Sequence, residues 1–181
     1  MDPVNYRPIS LIHVDCKILS KTIALRLDLI LRKIIHKDQV GFIKNRSSTD
    51  NMRRLLHLIW MNRYNPQPVS AISLDAQKAF DRVEWAFLLS TMTRMGFGDD
   101  FCRWIRVLYS GPKAAVFTNG LISQFFDISR STRQGCSLSP LLFTIFLEPL
   151  AAMIREDSRI KESLEVAGSI RFFFTRMTFE Y

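Results

Sequence analysis

Asp75 ends a short apolar run, VSAISLD over 69–75, and Asp81 follows six positions later in QKAFDRVEW. A carboxylate at the C-terminal tip of a buried strand is held rigidly by the packing behind it and can be presented to a cation. Its oxygens are hard donors that suit Mg²⁺, an ion that retains waters and binds substrate phosphates. The same residue also serves as an ordinary strand stop and turn start. A second candidate is TRQGCSLSPLLF, 132–143. There Arg133, Gln134 and Gly135 precede an apolar helix. Its N-terminal N–H groups, with the Gln134 amide, can meet an anion or a base–sugar unit. Gly135 lets backbone or substrate approach closely. A helix-start loop with ordinary capping accounts for the same letters. Arg7, beside the stiffening Pro8 in NYRPISL, and Arg46 in GFIKNRSST carry guanidinium forks suited to phosphate. Taken singly, each reads as a solvated charge. His13, His36 and His57 show no carboxylate or cysteine partner at ligand spacing and take no catalytic role.

These residues need elements to position them. Residues 17–35 place Leu19, Ile23, Leu27, Ile30 or Leu31, and Ile34 at helical spacing, with Lys and Arg between, so an amphipathic helix with a basic side is expected. DQVGFIKNRSSTD reads as a loop, and Ser48 or Thr49 is positioned to cap a helix through DNMRRLLHLIWMN. NPQP at 65–68 breaks it, and 69–75 follows as a strand. Asp81 and Glu84 have capping-box spacing ahead of a helix that Gly96 stops, which gives Asp81 a structural role. Phe80, at the turn before it, is either core or a wall beside the Asp75 edge. Asp99 or Asp100 opens a further helix with Phe101, Trp104, Ile105 and Leu108 on one face. Two apolar runs about Asn119-Gly120 predict a hairpin. Ser139 and Pro140 open a helix to about Arg155, and a short β-like tail follows. The order describes an α+β fold.

Composition narrows the class. The chain has 181 residues, 48% of them hydrophobic, with 14 Phe, enough for a real core. The balance of 25 Lys and Arg against 17 Asp and Glu gives +8, which favours a polyanionic partner, nucleic acid before anionic membrane, with a solvated basic surface as the alternative. Three cysteines without C-x-x-C spacing argue against a disulfide framework or zinc cluster and suit a reducing, intracellular compartment, nuclear or cytoplasmic. The longest apolar run, LSPLLFTIFLEPLAAMI, contains Glu148 and Pro149 and reads as a buried helix; no membrane span or signal segment is expected.

In order, NYRPISL, KILSKTIALRL, DQVGFIKNRSSTDN, SLDAQKAFDRVEW and RQGCSLSPLLF resemble the reverse transcriptase of non-LTR, LINE-type retrotransposons over roughly residues 5–150. The resemblance implies fingers and a partial palm of a right-hand polymerase, with 1–68 fingers-like and 69–181 palm. It implies Mg²⁺ as cofactor, and an RNA template, an RNA–DNA duplex and dNTP as partners. Carried over residue by residue, Asp75 is the first metal-binding aspartate and the catalytic one, and the Ala76 carbonyl is a backbone ligand. Phe80 packs under the sugar, Gln134 and Gly135 line the nucleotide pocket, and Arg7 touches the triphosphate. Arg46 and Arg133 fall to nucleic-acid contact.

One departure stands out. The family's F/Y-A-D-D turn supplies two further aspartates after the RQGCSLSP helix, and aligning FFTRM on that pattern puts Thr175 and Arg176 in their places. A single carboxylate cannot hold two divalent ions, and Arg176 would repel them. The expectation is therefore a fragment of a polymerase, without a thumb, inactive as this chain. The alternatives are a non-catalytic module that binds RNA or an RNA–DNA duplex, and a non-functional product of a degenerate element.

Overall fold

The last helix is apolar almost all round, and a helix of that kind has to be covered on several sides. The computed structural model, which describes residues 9–64, 66 and 76–157, covers it so. Among the described residues five α-helices and one hairpin follow in the order α1 (Val14–Ile34), α2 (Ser48–Tyr64), α3 (Trp85–Arg94), α4 (Asp99–Leu108), β1 (Lys113–Ala114), β2 (Phe117–Thr118), β3 (Leu121–Ile122), β4 (Phe126–Asp127) and α5 (Ser139–Glu156). Helix α5 buries Leu141, Leu142, Phe143, Ile145, Leu147 and Ala151, and α1 and α3 pack against it while α4 packs on α3.

Helix α1 begins at Val14, three residues before the expected start, where the His13 ring accepts from the Asp15 N–H. It buries Ile23, Ala24, Leu27 and Leu31. Ile30 stays exposed, so Leu31 holds the core position of that turn. The cap of α2 falls one residue early: Ser47 Oγ accepts from the Thr49 N–H at 3.2 Å. The capping box at Asp81 does not form. Asp81 lies inside a single 3₁₀ turn, Ala79–Arg82, and α3 starts at Trp85 from Glu84 without a side-chain cap. The turn follows Lys78, whose φ of 51° is left-handed, and the chain is redirected before a helix can start. Gly96, at φ 82°, ends α3 as its position suggested. Trp104 corrects the expected face of α4: Cys102, Ile105 and Leu108 are buried and Trp104 points half out. Ser139 also fails as a cap, since α5 starts from Leu138 with no side-chain cap and Pro140 in its first turn.

The hairpin sits where the Asn-Gly pair put it. Asn119 and Gly120 both have positive φ, 48° and 77°, as a two-residue turn matched to strand twist requires. Phe117 pairs with Ile122 and Thr118 with Leu121, and farther down Lys113 pairs with Asp127 and Ala114 with Phe126. The strands pair two residues at a time and the arm is exposed on both faces. Among the described residues this hairpin is the only β structure; the strand at 69–75 and the β-like tail lie outside them. No described helix is long and apolar enough to cross a membrane.

Candidate active site

Two turns, fifty residues apart in sequence, are laced together by backbone. Thr132 donates its N–H to the Phe80 carbonyl at 2.8 Å, and its hydroxyl reaches the same oxygen at 3.4 Å. Ser131 donates its N–H to the Val83 carbonyl at 2.9 Å. The Trp85 indole N–H in turn reaches the Ser131 carbonyl at 2.7 Å. Thr132 and Val83 are both completely buried. The 131–135 loop therefore cannot move without the 80–83 turn.

Phe80 stands on the start of α5. Its ring lies 4.9 Å from Phe143 and 6.0 Å from Phe42, centroid to centroid, and it remains half-buried. Phe143 and Phe42 are thus the supports of the Phe80 ring. Neither was singled out in the sequence, although Phe143 is part of the quoted LSPLLF motif and Phe42 of the quoted GFIKNR motif. Gln134 and Gly135 follow Thr132 on the same clamped loop. The Gln134 carbonyl accepts from the Ser10 N–H at 3.3 Å, which ties the N-terminal segment to the loop. Gly135 has φ +91°, a conformation that L side chains rarely adopt; a Cβ there would meet Ser10 O only at 3.5 Å, ordinary contact. The glycine answers a backbone need before a spatial one. Ala76 is exposed. Asp75 and Arg7 lie outside the described residues.

The two motif arginines both engage backbone carbonyls. Arg46 donates to four backbone carbonyls: His36 at 2.6 Å and Gln39 at 2.7 Å from one nitrogen, Ile35 at 2.9 Å and Arg32 at 3.1 Å from the other. It closes the C-terminal end of α1, where carbonyls lack helical partners. This corrects its reading as a solvated loop cation and leaves one of its five N–H donors for a phosphate. Arg133 does the same for α4, donating to the Leu108 carbonyl at 2.7 Å while its guanidinium lies 5.5 Å over the Tyr109 ring. Burial lowers the Arg46 pKa, opposed by the nearby Glu148 and Asp38 charges.

Behind the loop lies a polar network that the sequence did not reveal. Gln39 donates its amide to the Thr144 carbonyl, and the Thr144 hydroxyl reaches both the Gly41 and Pro140 carbonyls. Glu148 accepts from the His36 N–H and pairs with Arg155. Asp38 is held by Arg54 at 2.9 Å and lies 3.1 Å from the His36 ring, so His36 does have a carboxylate neighbour, two positions along the chain. These contacts seat the 38–46 loop on α5.

Among the described residues, no group of three or more His, Cys, Asp or Glu is placed to hold a metal ion. In the expected alignment Asp75 supplies one carboxylate, and Thr175 and Arg176, like Asp75 outside the described residues, stand at the other two positions. That donor set does not fit a pair of divalent ions, which need several shared hard oxygens.

The family model described as "Reverse transcriptase (RNA-dependent DNA polymerase)" matches residues 2–167. The chain is 34% identical over 152 residues to a Xenopus laevis protein named Transposon TX1 uncharacterized 149 kDa protein, covering 84% of this chain and 12% of that one. It is 26% identical over 147 residues to the probable RNA-directed DNA polymerase from transposon X-element of Drosophila melanogaster, covering 80% and 16%. It is likewise 26% identical over 160 residues to a Pol polyprotein of retrotransposable element R2 from Popillia japonica, covering 88% and 22%. The chain thus spans between 12 and 22% of the length of these relatives.

Proposed function

The chain belongs to the reverse transcriptase family, in its LINE-type, non-LTR retrotransposon branch, and on that premise we propose that it provides the fingers (1–68) and part of the palm (69–181) of a right-hand polymerase. In this reading the clamped 80–83 and 131–135 turns are two walls of the nucleotide pocket. Phe80 packs under the sugar, and Gln134 and Gly135 line the base side. By the family pattern Asp75, five residues before Phe80 in sequence, is the metal-binding carboxylate, the Ala76 carbonyl a backbone ligand, and Arg7 the contact to the triphosphate. The observation that supports the reading best is the pair of hydrogen bonds from Thr132 to the Phe80 carbonyl. It joins the two motifs independently of any ligand.

Reverse transcriptases use divalent metal ions, which would draw the nucleotide and primer oxygen into line when bound. This chain's residues bind and orient: the Phe80 ring sets the depth of the sugar, and the Gln134 loop is fixed by Thr132. With Thr175 and Arg176 in place of two aspartates, transfer itself is not expected. We expect no dNTP incorporation by the purified chain on a primed RNA template in Mg²⁺ or Mn²⁺. Template-dependent extension would overturn this. We also expect RNA–DNA duplex binding whose affinity falls as salt rises, because phosphate contacts release counterions. Affinity that ignores salt would remove the nucleic-acid role.

A further inference from the structure

Among the described residues, three of the exposed apolar surfaces outside the site differ in chemistry. The outer face of α1 carries Val14, Ile18, Leu25 and Leu29 beside several Lys and Arg, without an aromatic ring among them. The hairpin arm exposes Phe117, Leu121, Ile122 and Phe125, but no charged residue occurs between Lys113 and Asp127. Of these three, helix α2 combines several rings with cations. Its 17 residues include three arginines and one aspartate, and Asn51 is its one buried residue.

Arg53, His57, Trp60 and Tyr64 recur at intervals of four, three and four, which places them on one line along the helix. All four are exposed, with Trp60 at 51% and Tyr64 at 72%. His57 and Trp60 stack at 6.2 Å with planes 24° apart, and Tyr64 meets Trp60 edge-on at 4.7 Å. Arg53 at one end faces only the exposed Asp50, 4.0 Å away, and Arg63 lies exposed at the other end. Leu56 and Ile59, also exposed, widen the apolar strip beside the rings. From Arg53 to Tyr64 the line runs about 16 Å at the helical rise, room for about three nucleotides.

Resting on the reverse transcriptase reading, we propose that this face of α2 is a stacking platform for the unpaired template strand, single-stranded RNA. Trp60 and Tyr64 stack against bases, and Arg53 and Arg63 meet the flanking phosphates. Ring faces attract any base, and guanidiniums attract the backbone, so the platform is sequence-tolerant. A protein partner would be matched by the apolar strip, but not by the two exposed arginines at its ends.

The test is fluorescence-anisotropy titration of the full chain with a labelled single-stranded RNA 12-mer and, separately, with a blunt RNA–DNA duplex. W60A is expected to weaken single-strand binding roughly ten-fold, and W60F to restore most of it. Duplex affinity should stay unchanged in both. R53Q with R63Q should reduce the single-strand salt slope by about 1.4. Unchanged single-strand affinity in W60A and Y64A overturns the proposal, as does equal loss on both probes. A shift from dimer to monomer in W60A, read by sedimentation, also overturns it in favour of a protein contact. In each of those cases duplex binding by the wild-type chain leaves the polymerase reading standing. A wild-type chain that binds neither probe removes both.

Discussion

Arginine serves two motif loops here as a fork for stranded carbonyls. A helix C-terminus leaves its last carbonyls unpaired and carries partial negative charge. Arg46 meets that need for α1 across four residues, and Arg133 meets it for α4 through Leu108. Hydrogen bonds from charged donors are among the stronger ones. We therefore expect Arg46→Ala to destabilise the fold by about 2–3 kcal/mol, measured as a lower denaturant midpoint with unchanged slope. Arg46→Lys should recover less than half, because an ammonium cannot span four acceptors. A change within about 0.5 kcal/mol, typical of a surface cation, would contradict this. The letters GFIKNR could not disclose it, since the acceptors come from backbone at 32–39. Thr132 is a similar case: an ordinary loop threonine by sequence, it becomes the buried link to Phe80.

At the scale of elements, the positions of the helices were legible and their exact starts were not. Helices α1 and α4 lie where apolar spacing put them, α2, α3 and α5 follow within a few residues of the cap and Pro signals ahead of them, and the Asn-Gly turn has the left-handed angles its residues favour. Starts depended on neighbours. Asp81 had the right spacing for a cap, but Ser131 takes the Val83 carbonyl and Trp85 takes the Ser131 carbonyl, so the helix is seated by tertiary bonds instead. Helix α5 is the one on which the others rest. Leu142, completely buried at its centre, should cost about 3 kcal/mol when cut to alanine. Leu150, almost half exposed, should cost well under 1 kcal/mol. Thermal unfolding of the two variants checks the contrast, and comparable losses would mean that α5 is not the central helix.

At the scale of the whole molecule, the alkaline limit of stability should trace to Tyr109. Burial raises its pKa to about 12, helped by the nearby Cys136 and opposed by Arg133. The folded state therefore favours the neutral phenol. That preference is fully present below the unfolded value of about 10 and is lost as pH rises through about 12. Two units correspond to at most about 2.7 kcal/mol. Melting temperatures should fall between pH 10 and 12, and Y109F should lessen the fall relative to wild type. Identical profiles would exclude Tyr109 as the cause.

By itself the sequence determined the family, the helical order, the hairpin turn and the basic character, because each depends on letters at short range or on motifs kept in order. Only the tertiary structure decided that Phe80 and the Gln134 loop form one clamped unit, that two arginines close helix ends, and that the aromatic line of α2 faces outward. Those facts arise from contacts between segments tens of residues apart, and from which side of an amphipathic helix finds a neighbour. Helical spacing shows that a stripe exists; packing alone decides whether it is covered.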